Sequence, residues 1–195
     1  DTVVETIIEK EGNEKIDITF AVSKGKEIII TKLDLAGSHA FSKKELQSDV
    51  ANKEEQSFGW FFGRNDGKLR LGDLEYDNER IKNYYLKHGY LDANVTKARL
   101  SVDFKQYSAN LHYAIQEGEA YSISGLEIEQ LDNNLSLDHL HEEFRLKKDK
   151  VFNVDLMRRD VSKIEDAVGS LGYAFAKVYP DVVQDRENHT AKIAF

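Results

Sequence analysis

The sequence predicts an α+β fold in which one supersecondary unit, ordered strand, helix, helix, strand, strand, is built twice in tandem. Three observations predict it. KNYYLKHGYLDANV at 82–95 returns in weaker form as AVGSLGYAFAKV at 167–178, so that Gly89, Tyr90, Ala93 and Val95 match Gly172, Tyr173, Ala176 and Val178 at one offset of 83. Upstream, SKGKEIIITKLDL at 23–35 returns as QEGEAYSISGLEI at 116–128, with Gly25, Ile30, Leu33 and Leu35 matching Gly118, Ile123, Leu126 and Ile128 at an offset of 93. Finally, the hydrophobic period is helical before Gly89 and Gly172 and two-fold after them. The ten-residue difference between the offsets implies an insertion in the first repeat, and the tract from Phe58 to Gly67 is where it falls.

Taken in order, Ile16, Ile18, Phe20 and Val22 alternate before Gly25, as Leu111, Tyr113 and Ile115 do before Gly118. Residues 1–24 therefore read as the last two strands of a preceding unit. An isolated hairpin is marginal in water, so this piece is expected to fray, to pack on its neighbour, or to pair with another molecule. Glu27 to Leu35 is short and rich in isoleucine and leucine, which suits a strand. Ser42 then caps a helix, Glu45 closes the capping box, and Phe41 is placed to staple onto Leu46. In the second repeat Leu135, Ser136 and Leu140 repeat the pattern with His139 in place of the glutamate. Second helices follow, with apolar stripes through Leu71, Leu74, Ile81, Tyr84 and Tyr85, and through Val154, Met157, Val161, Ile164, Val168 and Leu171. Gly89 and Gly172 stand where helices stop. Strands are then expected from Ala93 to Phe104 and Ala176 to Gln184, and final half-buried strands around Leu111 to Ile115 and Ala191 to Phe195.

The totals describe a globular chain. Of 195 residues, 41% are hydrophobic and 32% charged, which is too apolar for disorder, and no apolar run approaches the roughly 20 residues that cross a bilayer. The net charge of −8 argues against a protein that grips nucleic acid through many phosphates. Lys147, Lys148, Lys150, Arg158 and Arg159 read as solvated surface. Zero cysteines exclude disulfides, thiolate catalysis and cysteine zinc sites. Because Asp1 opens in strand-like sequence and Phe195 closes inside another strand, the chain reads as part of a longer polypeptide, and a missing signal says nothing about compartment.

The unit order, the helix ending in YYLKHGYLDANV, the pair Glu117–Gly118 before the next unit and the segment LDLAGSHAF at 33–41 together resemble the POTRA domains of outer-membrane assembly proteins. Tyr85, Gly89, Tyr90 and Ala93 carry most of the likeness. The resemblance implies three-stranded mixed sheets, each covered on one face by two antiparallel helices. It implies a hairpin remnant of one module at 1–24, a complete module at 25–117 and a following one at 118–195 with its last strand truncated. Aligned by the long insertion, these are similar to the third and fourth modules of a five-module array. The second repeat departs from the pattern in lacking the paired tyrosines and the acidic residue after Tyr90.

The implied role is a periplasmic arm on a membrane β-barrel, the barrel being absent here, that receives unfolded outer-membrane proteins and docks accessory lipoproteins. The implied absences are a cofactor, a small-molecule substrate and nucleic acid. A POTRA arm of a translocation-assembly protein or a two-partner secretion transporter is the nearest alternative. An enzyme or regulatory domain with a site between repeats is a remote one.

Edges can be read without the family. Pro180, the only proline, falls in the penultimate strand and lacks a ladder donor, which marks an edge. Val95 is out of phase with Ala98, Leu100, Val102 and Phe104, so a bulge is expected near Thr96 and Lys97. An open edge accepts an extended partner by backbone hydrogen bonds that hardly depend on side chains. The resemblance assigns this role to Asn94, Val95, Thr96, Lys97, Ala98, Arg99 and Leu100, with Lys177, Val178, Tyr179, Asp181 and Val182 as the second edge. Lys97 and Arg99 are equally readable as charges that protect an edge from aggregation.

Phe58, Trp60, Phe61 and Phe62 form either an aromatic contact for a partner or a cover folded over their own helices. Tyr84, Tyr85 and Tyr90, at helical spacing beside a helix stop, read as core. Glu117 and Gly118 are the expected hinge between repeats. No enzyme is expected. His139 and His141 point apart on a helix, His139 with Glu143 is only a pair, and GRNDGKLRLG lacks a P-loop ending.

Overall fold

The computed structural model describes residues 3–11, 15–55, 66–130 and 135–195. The chain divides into two compact units that do not follow the repeat boundaries: Asp1–Asp34, Asn52–Leu71 and Arg99–Leu111 make the first, and Leu35–Ala51, Gly72–Ala98 and His112–Phe195 the second.

In the first unit, β1 (Val3–Glu11) and β2 (Lys15–Ser23) form an antiparallel hairpin. Its register places Val4 opposite Val22, Thr6 opposite Phe20 and Ile8 opposite Ile18, so one face is apolar. Phe20 is 65% exposed and Ile8 62%, so the strands pair while that face remains in water. The same unit holds most of β3 (Ile29–Ala36), β5 (Arg99–Asp103) and the start of β6 (Ser108–Gln116). Ile30 N–H donates to the Gly67 carbonyl at 2.7 Å and Leu69 N–H to the Ile28 carbonyl at 2.9 Å, fastening residues 67–69 along β3. Buried Asn52 clasps Arg70 from both sides: its amide donates to the Arg70 carbonyl at 3.1 Å, and its Oδ1 accepts the Arg70 N–H at 2.7 Å.

The second unit carries α1 (Lys43–Leu46), nearly all of α2 (Leu71–Lys87), β4 (Asn94–Val95) and the entire second repeat. That repeat runs β7 (Ser122–Glu127), a 3-10 helix (Asp138–Glu143), α3 (Val154–Ser170), β8 (Asp181–Asp185) and β9 (Thr190–Ala194). The Ser42 capping box is formed as the sequence predicts: Glu45 N–H donates to Ser42 Oγ at 3.3 Å and Ser42 N–H to Glu45 Oε2 at 2.8 Å. The Phe41 ring stands edge-on to Tyr84 and Tyr85, both at 5.1 Å, and to Tyr90 at 5.5 Å. Tyr85 is fully buried, as core packing of the tyrosines requires.

The strand order is β3-β6-β4 in the first repeat, with β5 also on β6, and β7-β9-β8 in the second. There β7 and β9 are parallel and β8 and β9 antiparallel, giving a mixed sheet. The last strand of each repeat is thus the central one. Beneath the second sheet Tyr121, Ile123, Phe144, Leu146, Phe152 and Ile193 form the middle of one apolar core.

Several local expectations need correction. Ser136 does not cap a helix; the second repeat has a 3-10 turn with Leu137 at the cap position and no side-chain cap bond. Without a glutamate at His139 the reciprocal box has no second half. The strand expected from Ala176 begins only at Asp181, since Pro180 has no N–H to give a ladder. The strand expected from Ala93 to Phe104 is broken into β4 and β5.

One repeated device was not anticipated. Asp77 and Asp160, 83 residues apart, are both fully buried in the long helices. Asp77 Oδ1 accepts the Ala51 N–H at 2.8 Å and a bond from Arg80 at 2.7 Å, while Asp160 accepts the N–H groups of Arg145 at 2.6 Å and Leu146 at 2.9 Å. Each carboxylate ties the long helix to the segment that follows the short one, and these hydrogen bonds offset the cost of burying it.

Candidate functional site

The first edge is built from β4 and β5, each of which pairs only with β6 among the described residues. Asn94 lies opposite Gln116 and Val95 opposite Ile115. The ladder continues one step, with Thr96 N–H donating to the Ala114 carbonyl at 2.9 Å. At the next step the Thr96 hydroxyl accepts the Ala114 N–H at 3.0 Å in place of a backbone carbonyl. This substitution is the phase break that Val95 announces, realised as an interruption over 96–98. Val95 is buried, Ala98 and Leu100 are half-buried, and Asn94, Thr96, Lys97 and Arg99 are exposed.

The second edge is β8, which pairs only with β9 among the described residues, from Asp181 opposite Ala194 to Asp185 opposite Thr190. Asp181 and Val182 are therefore in the strand, and Lys177, Val178 and Tyr179 lead into it. Val178 N–H is held by Glu165 Oε1 of α3 at 3.2 Å. Beside this lead-in runs a mostly apolar groove of about 450 Å³, lined in part by Leu135, Ile164, Val168, Val178, Tyr179 and Phe195. Phe58, Trp60, Phe61 and Phe62 lie outside the described residues.

Glu117 and Gly118 sit in a dense hydrogen-bond setting. Glu117 Oε1 accepts the N–H groups of His39 and Ala40, both at 2.9 Å, and the Tyr85 hydroxyl at 2.7 Å. Burial pushes the Glu117 carboxyl up, but the bonds donated by Ala40, Tyr85 and His39 outweigh it and hold the group below its ordinary value. Burial also pushes the Tyr85 hydroxyl up, and there it prevails, leaving the group well above the ordinary tyrosine value. Gly118 has φ of +69°, and a Cβ there would stand 3.1 Å from that of Asp92.

Asp92 belongs to a joint between the repeats that lies wholly inside the second unit. The Tyr121 hydroxyl donates to Asp92 Oδ2 at 2.7 Å, and Arg186 reaches Asp92 Oδ1 at 3.2 Å. The bond to Asp92, more than burial, raises the Tyr121 hydroxyl above its ordinary value. At the backbone level, the Gly89 carbonyl accepts Tyr121 N–H at 2.9 Å, and the Tyr121 carbonyl accepts Phe152 N–H at 2.9 Å. Leu86 and Leu91 of the first repeat pack against the core of the second. Lys87 bridges Asp155 at 3.3 Å, and Arg158 reaches Asn83 at 3.1 Å. Of these residues the sequence singles out Gly89, which repeats at Gly172, and Asp92, the acidic residue after Tyr90 that the second repeat lacks; Arg158 reads there only as solvated surface, and nothing marks Tyr121 or Arg186.

The family model POTRA, described as surface antigen variable number repeat, matches residues 28–118 and 121–195. The chain belongs to the POTRA family. Similar proteins include the outer membrane protein assembly factor BamA of Nitratidesulfovibrio vulgaris, 28% identical over 95% of this chain and 23% of its own length. The protein of the same name from Neisseria meningitidis is 20% identical over 94% of this chain and 23% of its own length. The chain thus spans about a quarter of the length of these relatives. Among solved structures, POTRA3-5 of Haemophilus influenzae BamA is similar at a TM-score of 0.66, with 20% identity, over 87% of this chain and 65% of that one. At that identity the likeness speaks for the POTRA fold alone. No helix among the described residues is long and apolar enough to cross a membrane.

Proposed function

We propose that this chain is part of the periplasmic arm of an outer-membrane β-barrel assembly protein, and that it binds extended segments of unfolded outer-membrane proteins by strand addition. The reading rests on POTRA membership and on relatives named as outer membrane protein assembly factors. In it, residues 1–24 close a preceding module, 25–117 form one module and 118–195 the next.

The observation that carries the mechanism is the second edge. From Ala176 to Tyr179 the chain borders a mostly apolar groove of about 450 Å³, and at Asp181 it enters a strand with one neighbour among the described residues. An added strand gains backbone hydrogen bonds along β8 while its alternate side chains enter the groove, which suits clients that share alternation and little else. The edge from Asn94 to Leu100 offers a second place for such pairing, with Lys97 and Arg99 at its rim. Accessory lipoproteins would dock by the same strand addition. Glu117 and Gly118 act as a restrained pivot, since bending there must break the bonds at Glu117 or the Tyr121–Asp92–Arg186 cluster.

The test is a titration of isotope-labelled protein with an extended peptide from an outer-membrane strand, following backbone amide shifts. Shifts confined to 177–183 or 94–100 support strand addition. Unshifted spectra at millimolar peptide, on the order of the weakest specific affinities, would make the chain a spacer or a lipoprotein dock.

A further inference from the structure

We infer that the two edges take client strands of opposite charge: Lys97 and Arg99 make the first edge select acidic strands, and Asp181 makes the second select basic ones. The inference rests on strand addition as the mode of binding and says which strand goes to which edge.

One turn, present in both repeats, brings the edges into register. Asp103 Oδ1 accepts the N–H groups of Lys105 at 2.8 Å and Gln106 at 3.2 Å, and Asp185 Oδ1 accepts those of Glu187 and Asn188, both at 3.1 Å. Each turn ends in a residue of positive φ, +53° at Tyr107 and +47° at His189. The carbonyls of those residues accept the N–H of Ile29 at 2.9 Å and of Ser122 at 3.0 Å, where β3 and β7 begin. The first edge therefore matches the second at an offset of 82, and Asp103 and Asp185 add the same charge at the same place on each.

Counting back by twos from these aspartates stays on the exposed side of each edge. Ser101 corresponds to Val183, Arg99 to Asp181 and Lys97 to Tyr179. The first edge thus presents two cations, and the second presents one acid between an aromatic and an aliphatic side chain. The side chains of Lys97, Arg99 and Asp181 make no hydrogen bond or ion pair among the described residues. No acid stands at Asn110, His112 or Ala114, the outward positions of β6. Beside the second edge, Lys192 of β9 is taken by Glu127 at 2.7 Å. Lys177 precedes Asp181 by four residues, about 13 Å of extended chain, which exceeds the Debye length of about 10 Å at 0.1 M salt.

Protection from edge-to-edge aggregation asks only for charge, of either sign. It does not account for a cationic first edge on a chain with 35 acidic and 27 basic residues. Selection does. Opposite charges directly across a strand pair attract and like charges repel, so one client strand cannot suit both edges equally.

The test uses two blocked peptides of strand length, one alternating valine with glutamate and the other valine with lysine. Each is titrated at low salt into the isotope-labelled 195-residue chain. Amide shifts at 97–103 and at 179–185 give an affinity for each edge from one sample, so the pull of the net charge of −8 on the lysine peptide cancels in their ratio. The ratio of first-edge to second-edge affinity should be on the order of tenfold higher for the glutamate peptide, because three cross-strand pairs change sign. Asp181→Arg, an exposed substitution, should shrink that difference to about twofold. A glutamate peptide with proline in place of alternate valines keeps its charge and loses ladder donors, and should shift neither edge. Equal ratios for the two charged peptides would overturn the inference and leave strand addition standing. Shifts as large with the proline peptide would overturn it too, by reducing the effect to bulk charge. No shift at either edge with either peptide would remove strand addition and this inference with it.

Discussion

Replacing Gly89 and Gly172 by alanine, one at a time, separates the backbone cost of the turn from the cost of disturbing the joint. The two residues share a left-handed conformation, so each alanine costs about 1–2 kcal/mol for placing a Cβ there. At Gly172 the new methyl meets open space, and the loss ends there. At Gly89 it meets Val151 Cγ1 at 2.6 Å and the Tyr121 carbonyl oxygen at 3.1 Å. Val151 is 56% exposed and its side chain can rotate away. The Tyr121 carbonyl is backbone and holds Phe152 N–H, so it does not yield without loosening the first strand of the second repeat. That overpacking adds about 1–2 kcal/mol, at the lower end of the usual range. Urea unfolding followed by far-ultraviolet circular dichroism should therefore show Gly89→Ala less stable than Gly172→Ala by about 1–2 kcal/mol, with unchanged m-values. Equal losses would mean that the Gly89 turn is not held against Tyr121, and the account of the joint would fail.

Asp160→Ala removes the acceptor for two backbone donors and should cost about 2–6 kcal/mol in the same assay, from about 1–3 kcal/mol for each donor left unpaired; a loss below about 1 kcal/mol would show that water replaces the carboxylate. Glu117 is predicted to make stability depend on acid. Its folded pKa lies below the unfolded value near 4.5, so its contribution is complete above that value and is lost as pH falls through the folded pKa. Urea midpoints between about pH 6 and pH 3 should fall less for Glu117→Gln than for the parent, and parallel curves would refute it. Tyr121→Phe should cost about 1 kcal/mol and raise amide exchange at Asp92 and Tyr121 while sparing the hairpin β1–β2.

Much of this fold was legible because local rules and long-range repetition coincided. Ser42 and Glu45 satisfy each other within one turn, and Gly89 and Gly172 answer a steric demand of the residue itself, so four or five letters sufficed. The interruption on the first edge was legible for a similar reason, since the odd step at Val95 breaks the two-fold period, whereas Pro180, expected inside the second edge strand, stands just before β8 and sets where it starts. The buried aspartates were not legible. In a helix, Asp77 and Asp160 look like any solvated acid, and their partners at Ala51, Arg145 and Leu146 are anonymous backbone. The joint was hidden because its carboxylate, hydroxyl and guanidinium come from Asp92, Tyr121 and Arg186, which no period connects.

The strand order has a consequence for how such an array comes into being. In each repeat the strand made last, β6 or β9, lies between strands made earlier, so neither sheet exists until its final residues have arrived. A module emerging from its N-terminus stays an unassembled set of strands and helices until that strand slots in, and then closes as one cooperative step.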